Sequence, residues 1–126
     1  MGFFKNLFVT NLALPDLHLL AFSQSPIATV LTDIEGMILD VNNAFTDLTG
    51  YTHADVDGHK MSLLKSGEHN NAFYKSFYSK ISNTHRHTTE IYNRCKNGQI
   101  LLMKERIASV KENTKRYYIV ILKYIT

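Results

Sequence analysis

Few side chains in this sequence could do chemistry, and they do not gather into a catalytic set. The one cysteine, Cys95, cannot form an internal disulfide and suits a reducing compartment; its expected role is a small apolar filler rather than a redox thiol. His85 and His87 lie two residues apart at a strand start, but two ligands fall short of the three or four a zinc site needs. They read as exposed loop histidines. No nucleophile–base pair, phosphate loop or acidic metal cluster stands in motif context, so no enzyme activity is expected. Glu105 is different. Period-2 alternation puts it on a strand face with Leu101, Met103 and Ile107, while Lys104 and Arg106 take the other face. A carboxylate in that company must be paired, bind a ligand or carry a raised pKa. It would recognise a cationic or hydrogen-bonding ligand, or else reach the open end of its sheet or pair with a nearby Lys or Arg. The second outcome is the expectation. On the preceding strand, Asn93 facing inward brings Ile91 and Cys95 with it.

The elements that must position these residues follow from the patterning. The 126 residues are 44% hydrophobic and 20% charged, which suits one folded domain rather than a disordered chain. The net charge of +3 comes from basic residues scattered singly or in pairs (Lys104/Arg106, Lys115/Arg116). No basic stripe interleaved with aromatics is present, so nucleic acid is not an expected partner. No run approaches the ~18 apolar residues of a membrane span, and the start, MGFFKNLFVTNLAL, lacks a signal peptide's continuous apolar core. A cytoplasmic location is expected.

Phe3, Phe4, Leu7, Phe8 and Leu12 recur at three- and four-residue steps, one apolar stripe of a helix. Such a stripe must be covered by the domain itself or by a second copy of the chain, and a homodimer is the expectation. Residues 1–22 form this N-terminal segment, with Pro15 breaking the pattern and a new helix starting at Asp16 and running through Leu17–Phe22. Residues 23–126 form the main domain. Strands are expected at Ile27–Thr32 and Met37–Val41 around a tight turn at Asp33–Gly36. Asn42 or Asn43 caps a helix with Ala44, Phe45 and Leu48 inward and Gly50 at its end, and Thr52 caps another. Residues 59–68 are irregular. Phe73, Phe77 and Ile81 mark an amphipathic helix over Asn70–Ile81. Strands at Thr88–Cys95 and Gln99–Val110 flank the Asn-Gly turn at Asn97-Gly98, and Arg116–Ile125 closes the chain. The layout is α+β: five antiparallel strands with helices on one face.

Several stretches, in order along the chain, resemble one family. Ser25-Pro-Ile-Ala28, Thr32-Asp33-x-x-Gly36-x-Ile38 and Val41-Asn42-x-Ala44-Phe45-x-x-Leu48-Thr49-Gly50-Tyr51 are similar to the first half of a PAS domain. Gly58, with Leu64-Lys65-Ser66-Gly67-x-His69-x-x-x-Phe73-Tyr74, resembles its middle. Asn93-Arg94-x-Lys96-Asn97-Gly98 resembles its late hairpin, and Tyr124-Ile125-Thr126 stands where the family often has Asp-Ile-Thr. The resemblance covers residues 23–126 and implies the PAS fold: a sensory domain of a bacterial signalling protein, of two-component or cyclic-dinucleotide type. It implies ligand binding, homodimerisation or both, controlling an output domain outside this chain or in trans. The alternative is a ligand-free PAS module for dimerisation.

The resemblance also frames the cofactors. Light-sensing members attack flavin with the Cys of Gly-x-Asn-Cys-Arg-Phe-Leu-Gln; the matching segment runs Gly58-His-Lys-Met-Ser-Leu-Leu-Lys65, with Met61 at the Cys position. The family's other flavin contacts fall on Asn93, Met103 and Leu122, and only Asn93 keeps an amide. A thioether forms no such adduct and apolar side chains cannot bond the ring edge, so this photochemistry is excluded. Non-covalent flavin and haem stay open as minor alternatives; for haem, the His that PAS sensors carry on the long helix is missing, and His69 lies just before it. His69 reads as a helix cap or a bond to the preceding loop. The expected ligand pocket is Val30, Phe45, Leu48, Met61 and Leu64 with Phe73 and Phe77 of the long helix. Ile91, Asn93, Leu101, Met103 and Glu105 of the late strands complete it. An apolar cavity with so many large side chains can also be simply filled.

Overall fold

A computed structural model describes residues 14–126. The chain runs α1 (Leu14–Gln24), β1 (Ala28–Asp33), β2 (Ile38–Val41), α2 (Asn43–Thr49), α3 (His53–Val56), a 3-10 turn at Met61–Leu64, α4 (Asn71–Thr84), β3 (Arg86–Arg94), β4 (Ile100–Glu112) and β5 (Lys115–Tyr124). The strands make one antiparallel sheet in the order β2-β1-β5-β4-β3. The expected five strands are all present, each shifted by a residue or two at its ends. The last strand crosses to the sheet's centre, so β1 and β4 meet only through β5.

The N-terminal stripe of Phe3, Phe4, Leu7, Phe8 and Leu12 lies outside the described residues. The helix that follows differs from expectation. Pro15 does not break it but sits in the first turn of α1, where an amide N–H would have no helical partner anyway. At its other end α1 runs on to Gln24, past the expected loop start at Ser23.

Local signals set the helix boundaries. Asn42 caps α2, its side chain accepting the Phe45 N–H at 3.1 Å. The same amide accepts the Thr29 N–H at 3.0 Å and donates to the Ile27 carbonyl at 2.8 Å, tying α2 to β1. Gly50 ends the helix at φ 81, a left-handed conformation that favours glycine. Thr52 and Asp55 form a reciprocal capping box on α3. Asn70 caps α4, accepting the Phe73 N–H at 2.9 Å.

The core lies between the helices and one face of the sheet. Val30, Phe45, Val56 and Met103 are wholly buried, with Leu64 and Leu122 close to it. On β3 and β4 the alternation is as expected: Ile91, Asn93 and Cys95 are buried, as are Met103, Glu105 and Ile107, while Lys104 and Arg106 are exposed. Cross-strand pairing locks this phase, with Ile91 opposite Met103, and Glu105 opposite Thr89 on one side and Leu122 on the other. A one-residue slip would turn the whole apolar set to solvent.

Candidate functional site

Between α4 and the sheet lies a cavity of about 150 Å³. Its helix wall is Tyr74, Phe77, Tyr78 and Ile81 of α4. Its sheet wall comes from four strands: Thr32 of β1, Ile91 and Asn93 of β3, Glu105 and Ile107 of β4, Tyr118 and Val120 of β5. The β1–β2 turn at Ile34–Gly36 and the segment carrying Met61, Ser62 and Lys65 complete the rim.

Of the residues expected to form a pocket, Met61, Phe77, Ile91, Asn93 and Glu105 line this cavity. The others do not. Val30, Phe45, Leu64 and Met103 are packed into the solid core, with Leu48 and Leu101 against its edge. Phe73 is turned toward His69, stacked on its ring at 3.9 Å. Part of the expected apolar pocket is therefore filled, and the open space lies around Met61, Phe77 and Ile91 with the polar Asn93 and Glu105.

Glu105 is the centre of that polar group. Its side chain was expected to reach the sheet's open end or to find a Lys or Arg; it does neither. It is only 5% exposed, and the ion pairs among the described residues are His53–Asp40 and Lys96–Asp55. Burial alone pushes its carboxyl from the ordinary 4.5 up to about 7. Facing it from α4, the Tyr74 hydroxyl is buried with no hydrogen-bond partner. Burial raises the Tyr74 pKa, with the neighbouring Tyr78 and Glu105 adding to it, and burial and Glu105 raise that of Tyr78. Asn93, 3% exposed, makes one side-chain hydrogen bond among the described residues, a 3.5 Å contact from Nδ2 to Met103 Sδ. Such a bond is weak. Three buried polar groups thus face one small space with little or nothing paired to them. Lys65 sits at the rim with its ammonium 4.2 Å from the Tyr74 ring centroid.

The histidines stand elsewhere. His69 neither caps α4 nor bonds the preceding loop: its Nε2 accepts the Tyr92 N–H of β3 at 2.9 Å. That bond pins the start of α4 to the sheet edge. His85 and His87 are not exposed loop residues. His85 ends α4 in a left-handed conformation with Nδ1 buried and unpaired, and His87 lies half-buried on β3 against the edge of Phe77. Among the described residues, no three His, Cys, Asp or Glu side chains gather as a metal site. Cys95 is buried at the far end of β3, where burial pushes its thiol up and Sγ donates to the Leu48 carbonyl at 3.6 Å.

The cofactors of the sequence reading fit this cavity poorly. No histidine lines it, and His69 Nε2 is engaged by a backbone N–H, which leaves haem without its usual axial ligand. Met61 lines the wall where light-sensing members have their cysteine. The volume is about half the ~300 Å³ at which pockets for drug-sized ligands begin, too little for a flavin ring system. Tyr74, Tyr118 and Thr32 escaped the sequence reading. Tyr74 was visible only as a neighbour of Phe73, and the β1 and β5 residues depend on strand order, which local patterning does not show.

Comparison with known proteins places the fold. The sequence matches the PAS domain family over residues 26–126, and the chain belongs to that family. No curated protein matches it. Among solved structures it resembles a PAS domain from a two-component sensor histidine kinase, with a TM-score of 0.75, 16% identity, and 88% of this chain and 95% of that one covered. It resembles the PAS domain of a Colwellia psychrerythraea protein at TM-score 0.79 and 22% identity, covering 90% and 98%. An RNA-binding light-oxygen-voltage receptor superposes at TM-score 0.83 and 22% identity over 94% of this chain, which spans 35% of that receptor. At these identities the likeness is one of fold. No described helix is long and apolar enough to cross a membrane.

Proposed function

We propose that the chain is a sensory PAS domain of a bacterial signalling protein, holding a small molecule between α4 and the sheet. It acts by binding rather than catalysis, in the cytoplasm, and governs an output domain in the same protein or in trans. The observation that supports ligand binding is a pair of polar groups on one cavity: Glu105, buried with no counter-charge among the described residues, and the Tyr74 hydroxyl, buried with no hydrogen-bond partner. Buried polar groups are ordinarily hydrogen-bonded, and a ligand that bonds both would remove their desolvation cost. Residues 1–22 are the dimer-forming segment in this reading, and 23–126 the sensor. The described part of that segment is consistent with it, since α1 leaves Leu19 and Leu20 exposed at 59% and 45%. Ligand binding would bias the dimer by shifting the sheet and helix ends.

A second reading, a ligand-free dimerisation module, is favoured by how completely Val30, Phe45, Leu64 and Met103 fill the expected pocket. Native mass spectrometry of the purified protein separates the two. A dimer carrying a mass excess that is lost on denaturation is the expected result. A dimer at the bare chain mass, from every expression condition tried, would leave only the dimerisation module.

A further inference from the structure

We propose that the cavity takes a small organic cation about one ring in size, its charged nitrogen on Glu105 and its body against the aromatic side chains of α4 and β5. This deepens the sensory reading and rests on it. Glu105 is a buried carboxyl with no counter-charge among the described residues. An ionised carboxylate in such surroundings is strongly destabilised unless a cation reaches it. The side chains around it are what a cation needs. Tyr74, Phe77 and Tyr78 come from α4 and Tyr118 from β5, and aromatic faces attract ammonium groups more strongly once water is excluded. Lys65 shows that attraction at the rim, its ammonium over the Tyr74 ring at 4.2 Å and the Tyr78 ring at 5.9 Å.

Size and polarity narrow the ligand further. A cavity of about 150 Å³ is that of a benzene-sized guest, so the ligand is one ring or its aliphatic equivalent. The Asn93 amide oxygen and the Tyr74 oxygen can accept hydrogen bonds from its N–H groups. Anions are disfavoured: the one cationic side chain in the lining is Lys65, which is exposed at the rim and already set on a ring face, while Glu105 would repel an acid inside.

The test is a charge series on one framework. Benzylamine, benzyl alcohol and benzoate are titrated into the full chain at about pH 8, followed by amide chemical shifts. The expected result is saturable binding of benzylamine, with shifts at Asn93, Glu105 and α4, at least ~10-fold tighter than benzyl alcohol and with no binding of benzoate. Glu105→Gln should cut benzylamine affinity by ~10-fold or more, since it keeps the shape and removes the charge. Benzyl alcohol or benzoate binding there as tightly as benzylamine would overturn the cation proposal and leave the sensory pocket standing. So would unchanged affinity in a folded Glu105→Gln variant. Failure of all three probes to perturb the cavity residues would overturn the pocket reading with it. The series on the unaltered protein decides the matter even if the variant does not fold.

Discussion

Replacing Glu105 by Gln should make the protein more stable, and increasingly so as pH rises. The carboxyl titrates near 4.5 in an unfolded chain and at about 7 in the folded one. Between those values the folded state holds a proton that the unfolded state has released. Stability therefore falls as pH rises through this window, and the loss is complete above about 7. At ~1.4 kcal/mol per pH unit, the displacement from 4.5 to about 7 amounts to ~3 kcal/mol. The titratable groups around Glu105 are Tyr74 and Tyr78 of α4, Tyr118 of β5, Lys65 beyond the rings and Glu35 at the rim. Gln keeps the shape but never ionises. The variant should match the wild type near pH 4.5 and exceed it by ~3 kcal/mol at pH 8, roughly 10 °C in Tm for a chain of this size. Urea unfolding of both proteins at half-unit steps from pH 4.5 to 8 reads the difference directly, and titrations common to both cancel. A difference that stays flat across the range would refute the reasoning, because it would mean that Glu105 ionises freely in the fold.

Phe45→Ala should cost ~3–5 kcal/mol in urea unfolding, because Phe45 is wholly buried in the core and its loss leaves a large cavity there. Asn42→Ala removes the cap of α2 together with the bonds to Thr29 of β1 and to Ile27 just before it and should cost ~2–4 kcal/mol. Asn42→Asp keeps the acceptor oxygen but not the donor to Ile27, and should fall between the two in the same assay. On the proposed dimerisation through residues 1–22, the wild type should sediment as a dimer and Phe4→Asp with Phe8→Asp as a monomer, since a charged stripe cannot be buried against a second copy; a double variant that sediments as a dimer would remove that segment from the interface.

How much of this was legible in the sequence depended on how local the signal was. Period 2 correctly turned Ile91, Asn93 and Cys95, and Met103, Glu105 and Ile107, to one face, because strand phase is carried by immediate neighbours. Asn42 and Thr52 cap helices as expected for the same reason: the side chain reaches its own backbone two or three residues on. Asn70 caps α4, a role the sequence pattern offers to His69. Pro15 misled because a proline that ends a helix and one that begins a helix differ only in what lies on its far side. The site itself was half legible. That Glu105 would share an apolar face was plain, but not that no cation would meet it there. Lys104 and Arg106 point away, and whether Lys65 could reach it depended on a loop path that no local pattern fixes.

The balance between filled and open space is the least local property of all, and it decides what this domain can sense. The sequence predicts a pocket made mostly of large apolar side chains; the structure buries Val30, Phe45, Leu64 and Met103 in the core and leaves the opening at Met61, Phe77, Ile91, Asn93 and Glu105. There β5 crosses between β1 and β4, bringing Tyr118 and Val120 beside Glu105. The close-packed part fixes the frame, since interiors at crystal density deform little. A small guest of the kind proposed would be held by few contacts, and its affinity would have to come from groups already out of balance in its absence. An unpaired Glu105 and an orphaned Tyr74 hydroxyl cost the domain stability, and a ligand that satisfied both, as proposed, would recover it. That recovery would be the free energy available to shift a dimer, so the same residues that weaken the empty fold set the strength of any signal it sends.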